Sequence, residues 1–297
     1  MVSVIIPCHN CEKTIDRAIK SVLQQSYKHI EVILVNNNST DNTFQRLLRY
    51  QNIFPGKIKV LDELKKGAPA ARNTGIKKAQ GEWIQLLDAD DELLTSKLER
   101  QVLIGEENDA DVVAGESMLS YISKSKEVNV VRHTDVDIWR GLITSNLGIT
   151  SSNLWRKTAL DQVNGWDEEL SSSQEYDLLL RLLQNGAKII TDKAVNTIIH
   201  LSTNSVSNSP SIERKKEVLN NRIALRLRIR EQLIATGQYT FNLERTIDNY
   251  IYTEILSYYK LFPKYAVELL KTHKPNVKFS LKLRLWCRLL FKKPAFN

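Results

Sequence analysis

Short apolar runs alternate with amphipathic segments between Val2 and Leu87, and this alternation constrains the fold more than any other feature. Each apolar run has the length of a strand, and each amphipathic segment repeats its apolar residues at helical spacing. Such alternation is typical of a mostly parallel sheet covered by helices, and it predicts an α/β fold. The predicted strands are 2–7, 31–36, 58–61 and 82–87, and the predicted helices are 12–25, 43–50 and 70–79.

The order of the elements changes after Asp91. The pattern predicts a helix at 97–107, a strand at 111–115, a less regular stretch at 121–150, a helix at 174–185 and a strand-like run at 195–199. Gly186 follows the second of these helices as a C-cap glycine would. Beyond Pro210 the pattern is helical almost throughout. We therefore predict a catalytic domain at 1–208 and a helical C-terminal extension at 209–297.

The formal net charge of +8 is concentrated at one end of the chain. Residues 271–297 hold eight Lys or Arg and no acid, whereas the remaining residues hold 34 basic and 34 acidic side chains. A neutral main body argues against a broad nucleic-acid footprint, and we predict no nucleic-acid partner. The basic end favours a local contact with something anionic.

Neither export nor a membrane span is indicated. No run approaches the ~20 apolar residues that a bilayer span requires, and Met1 leads into a strand-like run without a basic leader. Cys8, Cys11 and Cys287 cannot build a disulfide framework; a redox role for the first two is the alternative to reduced thiols. We expect an unprocessed cytoplasmic protein.

Asp88, Asp90 and Asp91 follow the predicted strand 82–87. Open α/β sheets bind ligands outside the carboxyl ends of their strands, and crowded carboxylates repel one another unless a cation compensates. Their hard oxygen atoms suit Mg²⁺ or Mn²⁺. The alternative is a solvated cluster at the start of a helix, because acids favour the first helical turn.

Polar residues also gather at other predicted strand ends. Residues 7–10 end the first strand and residues 36–41 follow the second. These residues either form a pocket for a nucleotide base and its ribose or are simply residues that favour turns. Arg72 lies in a segment of small residues at 67–75. Arg72 either makes bidentate hydrogen bonds to a diphosphate or is a solvated arginine on a surface helix.

Together these segments resemble family 2 of the glycosyltransferases, which have the GT-A fold, a Rossmann-like, mostly parallel sheet that binds nucleotide-diphospho-sugars. The resemblance is close over residues 1–110 and resumes at 165–168 and 174–186. The matching positions are Pro7, Asn10, 38–43, Ala71, Arg72, Asn73, Gly75, Ala79, Gly81, 87–91, Gly165, Trp166, Asp167, Glu168, Gln174, Glu175, Tyr176, Asp177, Leu180, Arg181, Leu182 and Gly186.

The resemblance implies an inverting, metal-dependent transfer of a sugar from a nucleotide donor to an acceptor hydroxyl. Asp88 and Asp90 match the Asp-x-Asp motif that holds Mn²⁺ or Mg²⁺ under the donor diphosphate. His200 is a candidate further ligand, with a structural histidine as the alternative. The implied donor-binding residues are Pro7, His9, Asn10, Asn36, Asn38, Arg72, Asp88 and Ala89.

Two positions depart from the family pattern. The family's Glu-Asp base motif has become Gln174-Glu175, so Glu175 is the implied catalytic base. The acidic pair that often receives the uracil N3–H is replaced by Asn36 and Asn37, although the amide oxygen of Asn36 can still accept that hydrogen bond. UDP is thus the implied donor nucleotide. His9 stands where the family often has an aromatic residue stacked on the base.

Trp155, Trp166 and Asp167 lie in the region where family members bind acceptors. Each tryptophan either stacks on a sugar ring or packs in the core. The resemblance implies a saccharide or lipid-linked acceptor in the synthesis of a bacterial surface polysaccharide.

The tail at 277–293 interleaves apolar and aromatic residues with cations. This composition describes a segment that lies at an anionic membrane surface, which would place the enzyme at the inner face of the plasma membrane. The alternative is a closing helix that packs on the catalytic domain or on a second subunit, the latter giving a homo-oligomer.

Two other function classes compete with glycosyl transfer. A nucleotidyltransferase of related fold would also show carboxylates at a sheet edge, but it would need a glycine-rich phosphate-binding loop where this chain has residues 7–10. A non-catalytic binding module would be favoured by loss of the metal aspartates or of the base. Asp88, Asp90 and Glu175 are all present.

Overall fold

The computed structural model describes residues 1–123, 126–201 and 211–291. The chain divides into two compact units, Met1–Ser205 and Val206–Asn297. The predicted boundary between residues 208 and 209 lies outside the described residues.

The first half of the N-terminal unit is a parallel α/β array, as predicted. Its strands occur in the order β3-β2-β1-β4, and each neighbouring pair is parallel. The elements are β1 (Val2–Cys8), α1 (Ile15–Leu23), β2 (Ile30–Asn36), α2 (Thr43–Ile53), β3 (Ile58–Asp62), α3 (Ala68–Lys78) and β4 (Trp83–Leu86).

Burial explains why the apolar periodicity predicted these elements. The apolar side chains of β1 and β2 lie in the core, where removal of apolar surface from water drives folding. Helix α1 presents Ile15, Ala18, Ile19 and Val22 to the same core. Because β1 and β2 run in parallel register, with Cys8 opposite Asn36, the polar segments that follow them meet at one sheet edge.

The second half of the unit is a mixed sheet. The strand order continues as β8-β6-β9-β5, with β7 paired to β6; β6 and β9 are parallel, and the other contacts there are antiparallel. Its elements are β5 (Glu92–Leu93), α4 (Lys97–Glu107), β6 (Val112–Ser123), β7 (Lys126–Arg132), α5 (Ile138–Thr144), β8 (Leu154–Arg156), α6 (Lys157–Gln162), α7 (Gln174–Gln184) and β9 (Ile189–His200).

The expectation of a less regular stretch at 121–150 is wrong. This region holds the end of β6, the antiparallel strand β7 and helix α5. Six of the seven residues of β7 are exposed, so the strand shows no alternation between a buried and a solvated face. Its structure depends on pairing with β6, which apolar periodicity does not reveal.

The C-terminal unit is helical, as predicted, with α8 (Ile212–Ala235), α9 (Phe241–Ser257), α10 (Pro263–His273) and α11 (Phe279–Phe291). Helix α9 contacts each of the other three helices. Among the described residues, no helix combines the length and apolar character that crossing a membrane demands.

Helix α11 carries much of the basic tail and has two contrasting faces. Leu281, Leu285 and Trp286 pack against α9, and the Trp286 indole N–H donates to the hydroxyl of Tyr252 at 3.0 Å. Phe279 and Leu283 are 78% and 55% exposed. One face of α11 therefore packs within its own unit while apolar side chains on the other meet solvent.

Candidate active site

The predicted metal ligands Asp88 and Asp90 lie with Asp91 in the turn between β4 and β5. The backbone N–H of Asp91 donates to the carbonyl of Asp88 at 3.0 Å, which closes the turn. Ser151, which precedes β8, accepts the Asp88 backbone N–H at 3.1 Å and donates to the Asp91 carboxylate at 2.6 Å. The turn is thus held by hydrogen bonds and is not a loose solvated cluster.

Carboxylate crowding is evident in this turn. Burial, followed by the nearby charge of Asp88, raises the pKa of Asp90 above its ordinary value. The same two causes, in the same order, raise the pKa of Asp91 to about 8. An ionised form of either side chain is therefore costly without a compensating positive charge. This donor chemistry fits a divalent cation bound by hard oxygen atoms.

The described residues do not assemble a complete metal cluster at this turn. Within the described ranges, no cluster of three or more His, Cys, Asp or Glu side chains is arranged to hold a metal. His200, the last residue of β9, lies near enough to Asp90 to lower its pKa, and its Nε2 is 3.4 Å from the carboxylate of Glu92. A cation at this turn would thus need further oxygen ligands, such as those of a diphosphate.

Arg72 lies beside the turn and is nearly buried. Its guanidinium donates to the Asp88 carboxylate at 2.8 Å and lies over the ring of Trp166, 4.5 Å from the ring centroid. Since Arg72 is only 6% exposed, the alternative of a solvated surface arginine is wrong. The next residue, Asn73, exchanges hydrogen bonds with the backbone of Trp166 at 2.8 and 2.9 Å.

The predicted donor pocket comprises side chains at the ends of β1 and β2. His9 is exposed, and its Nδ1 donates to the carbonyl of Asn37 at 2.7 Å, which orients the ring. The Asn10 side-chain oxygen accepts the backbone N–H of Thr40 at 2.7 Å. These contacts join the two strand ends into one surface.

The three consecutive asparagines after β2 have different roles. Asn37 is buried and supports the 63–67 segment, donating to the Glu63 and Lys65 carbonyls and accepting the Gly67 N–H. Asn38 also donates to the backbone of this segment. Asn36 donates to the Asp62 carboxylate at 2.7 Å, and no described residue donates a hydrogen bond to its own buried amide oxygen. Asn36 is thus the one of the three with an unused buried acceptor.

The two remaining donor candidates are largely covered. Pro7 is half-buried in β1, where it pairs with Val35 of the neighbouring strand, and Ala89 is buried between the aspartates. The side chain of Pro7 or Ala89 has no hydrogen-bonding group, so each can contribute only backbone and shape.

Glu175 lies in the first turn of α7. Its Oε1 accepts hydrogen bonds from the backbone N–H and the hydroxyl of Thr150, the latter at 2.6 Å. Burial raises the pKa of Glu175. The hydrogen bonds from Thr150 and the charge of Arg72 oppose that rise, and the negative charge of Asp88 adds to it. The charges of Arg72 and Asp88 therefore both influence the ionisation of Glu175. Asp177, two residues further along in the same turn, is paired with Arg181 at 2.8 Å.

The structure does not place the two tryptophans where a sugar could stack on them. Trp155 is fully buried, Trp166 is 2% exposed, and their ring centroids lie 6.4 Å apart in an edge-on arrangement. The expectation that they stack on an acceptor is wrong because both rings are buried by neighbouring side chains. Asp167 is exposed, and its carboxylate accepts the backbone N–H of Glu169 at 2.9 Å.

Sequence reasoning missed three residues of this site: Asp62, Thr150 and Ser151. Asp62 meets Asn36 only because β2 and β3 are paired in register. Thr150 and Ser151 belong to a polar run, 150–153, that resembles an ordinary turn in sequence and is buried in the structure. The concentration of hydroxyl and amide groups just before a strand was the only signal.

Comparisons with known proteins bear on this site. The sequence pattern described as Glycosyl transferase family 2 matches residues 3–160. An Escherichia coli protein named UDP-Glc:alpha-D-GlcNAc-diphosphoundecaprenol beta-1,3-glucosyltransferase WfaP is 30% identical over 209 residues, 70% of this chain and 80% of that protein. The E. coli protein WfgD, named for the same activity, is 39% identical over 116 residues, 39% of this chain and 45% of that protein.

Solved structures show the same fold. Staphylococcus aureus TarS 1–349 in complex with UDP-GlcNAc aligns with a TM-score of 0.67 at 18% identity, covering 97% of this chain and 79% of that one. The mannosyltransferase PcManGT of Pyrobaculum calidifontis, in complex with GDP-Man and Mn²⁺, aligns with a TM-score of 0.62 at 18% identity, covering 97% and 83%. With the family pattern matched over more than half of its length, the chain belongs to glycosyl transferase family 2 and is a glycosyltransferase with the GT-A fold.

Proposed function

We propose that this glycosyltransferase moves a sugar, with inversion, from a UDP-sugar to a hydroxyl of a lipid-linked saccharide in bacterial polysaccharide synthesis. The observation that carries the proposal is the half-buried side chain of Glu175, whose carboxylate accepts a hydrogen bond from Thr150 and is influenced by the charges of Arg72 and Asp88. That arrangement supports Glu175 as the base and the aspartate turn as the diphosphate site. UDP-glucose is the first donor to test, since both E. coli relatives carry it in their names.

Asn36 is proposed to recognise the donor base. Asp62 accepts from the Asn36 amide nitrogen, so the amide cannot turn without losing a charge-assisted hydrogen bond, and its oxygen is left as the acceptor. The uracil N3–H is a donor that this oxygen could receive. The exposed ring of His9 would lie against the base, with Asn10 and Asn38 shaping the pocket around the ribose.

Asp90, with Asp88 and His200, is proposed to hold Mn²⁺ or Mg²⁺ together with the donor diphosphate. The raised pKa of Asp90, which arises first from burial and then from Asp88, is the observation that favours a cation there. When bound, the metal would neutralise negative charge that develops on the leaving diphosphate. Arg72 holds Asp88 in place through their ion pair and so orients the turn.

Glu175 is proposed to accept the proton of the acceptor hydroxyl. A base works best when its pKa lies close to the working pH, and burial moves the pKa of Glu175 upward from its ordinary value. The hydroxyl oxygen would attack the anomeric carbon opposite the departing diphosphate, which inverts that centre. An α-linked donor then gives a β-linked product.

The C-terminal helix is proposed to contact an anionic membrane surface that carries the acceptor lipid. Phe279 and Leu283 are exposed on α11, with Lys278, Lys282 and Arg284 close in sequence, and residues 271–297 contain no acid. Each cation near such a surface contributes about 1 kcal/mol at most, and salt screens it. The contact would therefore be peripheral and reversible.

Purified protein incubated with Mn²⁺, a panel of nucleotide sugars and a GlcNAc-diphospho-lipid acceptor tests the proposed activity. We expect UDP release and a β-linked product from one UDP-sugar. A nucleotidyltransferase would instead release pyrophosphate, and a binding module would retain the nucleotide without turnover. Retention of the donor's anomeric configuration would contradict the inverting mechanism.

Asn36→Asp should destabilise the protein. The new carboxylate would face the Asp62 carboxylate at the place where the Asn36 amide nitrogen now donates to it at 2.7 Å. We expect the free energy of unfolding to fall by about 0.5–1.5 kcal/mol, the net contribution of a typical hydrogen bond, because the Asn36–Asp62 contact is exposed to solvent. The double variant Asn36→Asp/Asp62→Asn exchanges the partners and should recover most of the loss while keeping UDP affinity. Thermal melts of both single variants and the double variant measure this recovery. If the stability loss of the double variant equals the sum of the two single losses, the pairing of Asn36 with Asp62 is contradicted.

Glu175→Gln should leave donor affinity unchanged and lower kcat by roughly 10²- to 10⁴-fold, since the amide fills the site but cannot accept a proton. UDP-sugar binding by calorimetry and turnover by UDP release separate the two effects. Asp177→Asn is the control, because breaking its buried pair with Arg181 should reduce stability more than turnover. The reverse result would assign the base to Asp177.

Asp90→Ala should abolish transfer and preserve the fold, because it removes a metal ligand and relieves repulsion within the aspartate turn. Turnover at saturating Mn²⁺ and the melting temperature in EDTA report the two effects. Glu107→Ala, an exposed acid on α4, should change neither. Near-native turnover of Asp90→Ala with the metal chelated would disprove the metal-dependent mechanism.

Phe279→Ser/Leu283→Ser should weaken sedimentation with anionic vesicles at low salt and leave the melting temperature unchanged, since both side chains are exposed. Trp286→Ala is the contrasting variant, because its indole packs on α9 and bonds to Tyr252, so it should destabilise the helical unit. Neutral vesicles are the matched control. If the unaltered protein fails to sediment with anionic vesicles, the membrane contact is excluded.

A further inference from the structure

The 147–151 loop, which connects α5 to β8, links two parts of the proposed active site. The hydroxyl of Tyr176, next to Glu175 on α7, donates to the carbonyl of Gly148 at 2.9 Å and accepts the backbone N–H of Leu147 at 3.1 Å. Just beyond the loop, Asn153 donates to the Leu147 carbonyl at 3.0 Å. The loop is thus hydrogen-bonded to α7 and closed on itself by buried polar groups.

Thr150 directs both of its donors to one atom. Its backbone N–H and its hydroxyl both reach Oε1 of Glu175, and Thr150 itself is buried. In the part of the chain that the structure describes, the other carboxylate oxygen, Oε2, makes no hydrogen bond. The two oxygens of Glu175 are therefore unequal: one is anchored to the protein and the other is left for a ligand.

Ser151, the adjacent residue, contacts the aspartate turn. Its hydroxyl accepts the Asp88 backbone N–H at 3.1 Å and donates to the Asp91 carboxylate at 2.6 Å. Successive residues of one buried loop therefore fix the carboxylate on α7 and the turn after β4. Because the interior is densely packed, such a connection sets the separation of the two groups.

We propose that Thr150 is a positioning residue, which anchors Oε1 of Glu175 so that Oε2 faces the acceptor hydroxyl at a distance from the aspartate turn set by Ser151. This inference rests on the proposed function, in which Glu175 is the base. Thr150 touches neither donor nor acceptor in this scheme. It acts by fixing the orientation of the carboxylate and by stabilising its charged form.

The effect of Thr150 on pH dependence has a definite sign. The groups acting on the Glu175 carboxylate are Thr150 and Arg72, which lower its pKa, and Asp88, which raises it along with burial. A hydrogen bond donated to a carboxylate favours its charged form, so removal of the Thr150 hydroxyl raises the pKa of Glu175. Because the base works when deprotonated, the acid limb of the kcat profile moves to higher pH.

The test compares Thr150→Val, which keeps the shape and loses the hydroxyl, with Thr150→Ser, which keeps the hydroxyl. At saturating donor and acceptor we expect Thr150→Val to move the acid limb of kcat upward by about one pH unit, a tenfold loss of turnover on that limb. Thr150→Ser should restore the limb of the unaltered protein. UDP affinity should be the same in all three proteins.

Melting temperatures show whether each variant folds, and Thr150→Ala replaces Thr150→Val if the valine is not accommodated. The inference would be overturned if the variant that lacks the hydroxyl kept its acid limb at the same pH and lost turnover equally at every pH. Thr150 would then have only a structural role. Glu175→Gln distinguishes the two failures. If Glu175→Gln keeps full turnover, the proposed base is wrong. If Glu175→Gln loses turnover but the acid limb of Thr150→Val does not move, only the inference about Thr150 fails.

Discussion

The ion pair between Arg72 and Asp88 joins the elements on which the candidate site depends. Arg72 comes from α3 and Asp88 from the turn after β4, and their contact at 2.8 Å is supported by the ring of Trp166 beneath the guanidinium. A nearly buried guanidinium requires a charged partner, so loss of Asp88 would leave Arg72 uncompensated. The same positive charge reaches Glu175 and lowers its pKa against the effect of burial. The Arg72–Asp88 pair therefore influences both the aspartate turn and the carboxylate of Glu175.

The parallel half of the sheet could be predicted from sequence because its signals are local. The apolar face of α1 and the buried runs of β1 and β2 repeat with the periods of a helix and a strand, and the structure places them within a few residues of the predicted bounds. The mixed half could not be predicted to the same extent. Strand β7 is exposed, and β5 and β8 are too short to show a period, so their existence depends on partners distant in sequence.

The candidate site divides in the same way. Asp88 and Asp90 could be proposed from sequence because they follow a strand, and strand ends gather ligand-binding groups at one edge of an open sheet. Asp62 and Thr150 were not found, since neither has a function until the fold brings it to Asn36 or Glu175. The role of the tryptophans could not be decided from sequence for a related reason. An indole suits a sugar face and a protein core equally well, and only burial distinguishes the two.

The two acidic side chains at the centre of the site are held by hydroxyl groups, and this choice of partner matters chemically. Ser151 donates to Asp91 and Thr150 to Glu175, so each carboxyl group is hydrogen-bonded while no cationic side chain among the described residues is ion-paired with it. A lysine or arginine in either place would hold the carboxylate ionised and resist its protonation. A hydroxyl partner donates a hydrogen bond to one carboxylate oxygen and adds no positive charge of its own. Burial then keeps the pKa of Glu175 raised, the condition under which a carboxylate can take a proton from a hydroxyl and later release it.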